Sequence, residues 1–315
     1  MTAVYITDHI KDPIVERGIL GNEVSSEFDQ NAEILIVWND RITPEYMDQF
    51  KQLKSIIRCG VGYDKIDLEY AKSKSILVSN VPDYCTNEVA DTAVAFILNI
   101  IRGVARLDFI SRLTPNKWQD SLITDIRRTS SHVVGIVGSG RIGSNAMKKL
   151  VAMGITCLYY DPYLSESDAA QLPGIRCSVL EELLNNSTIV SIHVPLSDET
   201  HGMIDEKFLQ NMKERSSLVN TARGNIIKDL DLIHKYLKSD HLSNVAFDVL
   251  PEEPPRETIT IQAWQAQEHW LDGRLIINPH TSFYSEEAYE EVRVKAAQNA
   301  KRILEKREQI NVVNL

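Results

Sequence analysis

The stretch His132–Gly143, HVVGIVGSGRIG, runs a β-branched segment straight into three glycines spaced G-x-G-x-x-G. A buried strand that ends in such a turn and feeds a helix is the start of a dinucleotide-binding βαβ unit. Gly138 permits the tight turn, Gly140 lets the backbone approach a pyrophosphate, and Gly143 lets the following helix pack closely on the sheet. Gly154 is the expected cap of that helix. Asp161 stands 18 residues beyond Gly143, after the second β-branched run, where a carboxylate accepts hydrogen bonds from ribose hydroxyls and repels a 2'-phosphate. No Arg follows in Asp161-Pro162-Tyr163, so NAD is expected rather than NADP.

The motif begins late in a chain of 315 residues, so the region before it needs its own account. Ala3–Thr7, Ile34–Val37, Ser55–Arg58 and Ile76–Val78 are short apolar runs separated by mixed, helix-like segments. Such βα alternation forms a parallel sheet covered on both faces, and thus a domain of its own. From Thr86 the apolar residues Val89, Ala93, Val94, Ile97, Ile100 and Ile101 recur at helical spacing, which predicts one long helix to about Arg102. A second series follows: Val133–Val137, Thr156–Tyr160, Ile189–His193, Ser217–Asn220, Val245–Asp248 and Leu275–Asn278. These six strands predict a doubly wound sheet. A last helix is expected with Ser285 as N-cap, Glu286 and Glu287 in its first turn, and Lys301, Arg302 and Lys306 near its end. Its place after the complete second sheet suggests that it returns to the first domain. The expected fold is therefore α/β, with residues 1–102 and 284–315 forming a split domain around an inserted nucleotide domain, 103–283.

Composition narrows the function. Hydrophobic residues at 43% and charged residues at 25% describe an ordinary globular protein. A net charge of -10 disfavours nucleic acid and membrane surfaces, both of which demand clustered Lys and Arg. Cys59, Cys85, Cys157 and Cys177 form no C-x-x-C pair, so no metal site and no disulfide framework is expected. Met1–Glu16 lacks a long apolar run, and a cytoplasmic location is expected. Small molecules or proteins are the expected partners.

Three strand ends in the second series carry chemistry. His280 follows the sixth strand in Asn278-Pro279-His280, Arg223 follows Val219-Asn220-Thr221-Ala222, and Glu253 lies five residues after Asp248. Ligands of open parallel sheets bind at this carboxyl edge. An Arg fork holds the carboxylate and keto oxygen of a 2-oxo acid, His handles a hydroxyl proton, and a carboxylate beside the imidazole orients it and favours its charged form. Taken singly, each also reads as an ordinary surface polar residue.

Together with GVGYDKID (60–67), NVPDYCTNEVAD (80–91), HVPLSDET (193–200), NTARGN (220–225), DVLPEEP (248–254) and NPHTSFYSEEA (278–288), these residues carry a resemblance over nearly the whole chain. The chain resembles the D-isomer-specific 2-hydroxyacid dehydrogenases, and within them the branch similar to C-terminal-binding-protein corepressors. The resemblance implies two doubly wound domains, a flavodoxin-like split substrate domain and an inserted Rossmann NAD-binding domain. It implies a catalytic set of Arg223, Glu253 and His280, with Glu253 preferred over Glu252 because it immediately precedes Pro254. It places the substrate carboxylate at the backbone N–H groups of Val61 and Gly62 with Arg58 nearby, and Arg223, His280 and Phe283 at the rest of the substrate. It lines NAD with Gly138, Gly140, Arg141, Ile142, Gly143, Asp161, His193, Val194, Pro195, Thr200, Thr221, Ala222, Arg223 and Asp248, the last facing the nicotinamide amide. A homodimer is also implied.

The chain departs from the family pattern at Lys65, where Asn is usual, and at Phe283, where the corepressor-like branch often has Trp. A longer segment between Pro254 and Asn278 carries Trp264 and Trp270, which read as surface packing before they read as a lid. The expected activity is hydride transfer between NAD and a 2-hydroxy acid. The alternatives are an NADH-sensing module that recruits proteins and a 3-phosphoglycerate dehydrogenase, whose frequent regulatory domains this length would not accommodate.

Overall fold

A computed structural model describes residues 2–114, 116, 118 and 125–315. The chain forms two compact units, Met1–Cys85 with Tyr284–Leu315, and Thr86–Phe283. The first holds a parallel sheet of β1 (Val4–Ile6), β2 (Val24–Ser25), β3 (Ile34–Val37), β4 (Ser55–Arg58) and β5 (Leu77–Ser79), in the order β2-β1-β3-β4-β5. That order is flavodoxin-like. Ile34, Leu35, Ile36 and Val37 are all buried because the central strand is covered on both faces, which explains the uninterrupted apolar run. The C-terminal helix Glu286–Leu304 packs on the helix Ile14–Leu20 of this unit. Ser285 caps it as expected, its side chain accepting the Ala288 N–H at 2.9 Å. Arg293 of that helix grips the fully buried Glu16 through two hydrogen bonds of 2.7 and 2.8 Å. The carboxylate is burial-tolerant only because the guanidinium fork matches both of its oxygens.

The second unit holds β6 (Val133–Val137), β7 (Thr156–Tyr160), β8 (Ile175–Arg176), β9 (Ile189–Ile192), β10 (Ser216–Asn220), β11 (Leu242–Phe247) and β12 (Leu275–Ile277). Their order, β12-β11-β10-β9-β6-β7-β8, is that of a doubly wound nucleotide sheet with a seventh strand, and every pairing is parallel. One face packs under Leu183, Leu209, Leu218, Ile233 and Phe247, the other under Ala90, Ile97, Met147, Leu150 and Val219.

Several details differ from the sequence reading. The helix Thr86–Arg102 packs on the helix Arg141–Ala152 and on β10, so it lies with the second unit rather than the first. β2 and β8 have two residues each, too short for a pattern. β11 begins three residues before Val245, because Leu242 and Asn244 pair with Ser216 and Ser217 across a bulge. The helix after the glycine motif is capped by Met153, and Gly154 follows it with φ +78°. The helix Ile259–Gln265 and Trp270 fill the Pro254–Asn278 segment, with Trp264 and Trp270 packed against the unit's core. Lys65 donates to the Asn39 side chain at 2.7 Å. Among the described residues no helix is long and apolar enough to cross a membrane, and all four cysteines are free and buried.

Candidate active site

The order of the second sheet reverses between β6 and β9, and the glycine loop and the His193–Thr200 loop meet there. A Cβ on Gly138 would lie 2.9 Å from the carbonyl of His193, and φ there is +88°. A Cβ on Gly143 would run into the Gly138 carbonyl oxygen, so the helix can approach the turn only without a side chain. At Gly140 a Cβ would meet nothing, and this residue begins the helix Arg141–Ala152 with no side-chain cap. First-turn amides around Arg141, Ile142 and Gly143 are thus left for an outside acceptor in open space, as a pyrophosphate requires. The residues present fit a dinucleotide.

Asp161 closes β7. One carboxylate oxygen accepts the Ser139 N–H at 2.8 Å and its hydroxyl at 3.1 Å, and the other accepts the Tyr163 N–H at 3.0 Å. Ser139, a variable position of the motif whose side chain says little about NAD in the sequence, therefore ties the glycine loop to Asp161. A carboxylate accepts several hydrogen bonds, so a half-buried Asp161 retains acceptor capacity for ribose hydroxyls. Replacing it with Asn removes the charge that opposes a 2'-phosphate. The ratio of kcat/KM for NADPH to that for NADH should rise about tenfold or more, as the loss of a close like charge implies. Steady-state kinetics with both cofactors check this; an unchanged ratio removes Asp161 from cofactor choice.

His193 bonds Ser191 Oγ at 2.9 Å, and burial pushes its pKa down to about 4. Its folded pKa lies below the ordinary ~6.5, so the unfolded state takes up the proton first as pH falls. The stability this neutral imidazole confers is complete above pH ~6.5 and is lost toward pH ~4. Between pH 7.5 and 5 the wild type should lose about 2 kcal/mol more than a His193→Gln variant. Denaturant titrations at the two pH values measure that gap, and equal losses would contradict a buried neutral His193. Thr200 closes the same loop, accepting the Ser197 N–H at 2.8 Å and donating to the Pro195 carbonyl. Val194 packs its side chain against the Gly138 turn.

The expected acid-base residues converge after β10, β11 and β12. His280 Nδ1 lies 2.7 Å from one Glu253 oxygen, while the other accepts the Leu250 N–H at 2.9 Å. Burial pushes the Glu253 carboxyl up, but the hydrogen bond and charge of His280, the Leu250 amide and the charge of Arg223 outweigh it. The net shift is down. An ionised carboxylate only accepts, so Nδ1 carries the proton and Nε2 is the nitrogen presented outward. The His280 side chain keeps 40% of its exposure, enough for a ligand to reach it.

His280 holds φ 53°, a left-handed conformation uncommon for non-glycine residues. Asp248 accounts for it. Its carbonyl accepts the His280 N–H at 2.8 Å, and its buried carboxylate accepts the Thr281 and Ser282 N–H groups at 3.0 and 3.1 Å. The carboxylate expected to face the nicotinamide amide thus also holds the turn that aims the imidazole.

Arg223 is partly exposed; its guanidinium donates to the Ala222 carbonyl at 2.7 Å, and Asn220 fixes the loop through the Arg223 carbonyl and the Ala222 N–H, both at 2.9 Å. Gly224 was missed by the sequence reading. A Cβ there would collide with the Leu250–Pro251 backbone, so glycine lets the Arg223 loop lie directly on the loop that carries Glu253. Thr221 Oγ1 is buried with no hydrogen-bond partner among the described residues. Phe283 sets its ring edge-on to His280, with centroids 6.2 Å apart.

Arg58, Val61 and Gly62 lie in the first unit, at the carboxyl end of β4. The Arg58 side chain donates to the Cys59 carbonyl, Gly60 takes φ +146°, and the Val61 carbonyl accepts from Asn80 at 2.6 Å.

Residues 94–282 match the family model of the D-isomer specific 2-hydroxyacid dehydrogenase NAD binding domain. The chain is 32% identical over 270 residues to a glyoxylate reductase of Thermofilum pendens, covering 84% of this chain and 76% of that protein. It is 28% identical over 314 residues to a D-3-phosphoglycerate dehydrogenase of Methanocaldococcus jannaschii, spanning 99% of this chain but only 57% of that relative's length. It also superposes on the D-lactate dehydrogenase of Aquifex aeolicus, solved with NAD and lactic acid, with a TM-score of 0.87, 27% identity and 99% of each chain covered.

Proposed function

This chain belongs to the D-isomer specific 2-hydroxyacid dehydrogenase family, and from that premise we propose that it interconverts a 2-oxo acid and a D-2-hydroxy acid with NAD. The observation that carries the proposal is the 2.7 Å contact between Glu253 and His280 Nδ1, with the Arg223 charge close enough to act on the same carboxylate. A nucleotide-binding scaffold alone has no use for a proton donor held in that way.

A bound nicotinamide would supply hydride-transfer chemistry at the substrate's C2. His280 Nε2 holds the proton that joins the keto oxygen on reduction and receives it back on oxidation. Glu253 fixes the imidazole's tautomer and orientation. Arg223 pairs with the carboxylate and keto oxygen, and the charge it presents favours the alkoxide-like oxygen of the transition state. In the first unit the proposal gives the amides of Val61 and Gly62, with Arg58, to the substrate carboxylate, and Phe283 borders the substrate beside His280. The cofactor is assigned to Gly138 through Gly143, Asp161, the His193–Thr200 loop, Thr221, Ala222 and Asp248.

NADH oxidation with a panel of 2-oxo acids tests the proposal, with turnover of at least one expected. Tight NADH binding with no turnover would instead support an NADH-sensing module. We place the protein in the cytoplasm, consistent with four free cysteines; a fluorescent fusion found outside the cytosol would contradict that. We also propose a homodimer. That reading rests on the family resemblance, and the helix Val104–Leu113 buries none of its residues, leaving Val104 59% and Leu113 46% exposed for a second copy to cover. Light scattering should return a dimer mass, and a monomer at micromolar concentration would refute it.

A further inference from the structure

The carboxyl edge of the first unit's sheet carries an aromatic cluster that the proposed chemistry leaves without a role. His9 follows β1, Trp38 follows β3, and Tyr289 projects from the first turns of the C-terminal helix. His9 and Trp38 stack with centroids 4.8 Å apart at 23°, and Tyr289 closes on them at 5.2 Å from Trp38 and 6.2 Å from His9. None of the three is fully buried; His9 is exposed and the other two are half-buried. Yet the rings are held. The Asp8 carboxylate accepts the Trp38 N–H at 2.8 Å and the Asn39 N–H at 2.6 Å, which locks the two loops together, and His9 takes φ 61°. Behind Tyr289 the Arg293 guanidinium lies 5.6 Å from the ring centroid, its charge already matched by Glu16.

The place of this cluster matters. The Cys59 N–H bonds the carbonyl of Val37 at 2.8 Å, so Trp38 starts one strand away from the Cys59–Gly62 loop assigned above to the substrate carboxylate. Neighbouring strands lie about 5 Å apart. A 2-oxo acid anchored at that loop would therefore bring the group on C3 against the rings. Rigid, partly exposed aromatic faces favour a flat apolar group. A cationic group would find the Asp8 oxygens engaged by backbone amides, the Asp40 carboxyl pushed up by burial and by Asp8, and Arg58 close by on the next strand.

We propose, resting on the dehydrogenase function above, that His9, Trp38 and Tyr289 form the specificity wall for the substrate's side chain and select an uncharged aryl-substituted 2-oxo acid over glyoxylate or pyruvate.

Kinetics with phenylpyruvate, pyruvate, glyoxylate and 5-guanidino-2-oxopentanoate test this in the wild type, Trp38→Ala and Trp38→Phe. Phenylpyruvate should have the highest kcat/KM, by about tenfold or more. Trp38→Ala should lower the phenylpyruvate-to-pyruvate ratio at least about tenfold, chiefly through KM, and Trp38→Phe should restore most of it. Preference for a short or guanidino acid, or an equal loss for every acid in Trp38→Ala, would overturn the wall while leaving the dehydrogenase standing. If no acid is reduced, the dehydrogenase proposal fails first, and binding alone decides the wall. Phenylpyruvate should then still raise the thermal midpoint more than pyruvate does, an effect lost in Trp38→Ala, and its absence would overturn the inference.

Discussion

Replacing His280 with Asn lowers kcat for 2-oxo acid reduction by about 10²- to 10⁴-fold, the range general acid catalysis supplies, while NADH binding persists. Asn is the informative replacement because it also tolerates the left-handed backbone that His280 occupies at φ 53°. The loop held by Asp248 then stays in place, and what disappears is the ring nitrogen that faces the substrate. Glu253→Gln should do less. It keeps an acceptor for His280 Nδ1 and removes only the negative charge beside the ring, so kcat should fall by less than in His280→Asn. Steady-state rates across pH 5 to 9, with NADH affinity measured by fluorescence, separate the two variants. A His280→Asn enzyme within a few-fold of wild type would remove His280 from the chemistry.

Arg223→Ala lowers kcat/KM for the 2-oxo acid by about 10²- to 10⁴-fold, because two charge-assisted hydrogen bonds of roughly 1.5–3 kcal/mol each are lost together. KM should rise and kcat should fall, since one bond holds the carboxylate in the ground state and the other strengthens as charge grows on the keto oxygen. Arg223→Lys retains the charge without the fork, and its activity should lie between the two. The loop should survive either change, because Asn220 and Gly224 position it through backbone contacts. An Arg223→Ala enzyme with an unaltered KM and kcat would show that the substrate carboxylate is bound elsewhere.

Much of this site was legible before the fold was known. Strands buried on both faces leave continuous β-branched runs, so Ile34–Val37 and Val133–Val137 announced themselves. Gly138, Gly140 and Gly143 are spaced by the geometry of a single turn, and Ser285 caps the residue three positions on. Local periodicity and local hydrogen bonds are written in local sequence.

What was hidden depends on segments distant in the chain. Ser139 has meaning only once Asp161 arrives beside it, and Gly224 only once Leu250 and Pro251 lie against it. The burial of Glu16 has no local signal, because the Arg293 that closes over it stands 277 residues later. The double duty of Asp248 follows from the turn at His280, which depends on β11 and β12 being neighbours. His9, Trp38 and Tyr289 likewise form a cluster because the sheet order brings β1 beside β3 and the last helix back over them.

The most direct test of the dehydrogenase assignment is transfer of deuterium from NADH labelled at C4 to a 2-oxo acid, followed by chiral separation of the product. Label at C2 of a D-2-hydroxy acid is the result expected of the wild type, strongly reduced in His280→Asn. An L-configured product, or NADH that binds and yields no labelled acid with any member of the panel, would contradict the account.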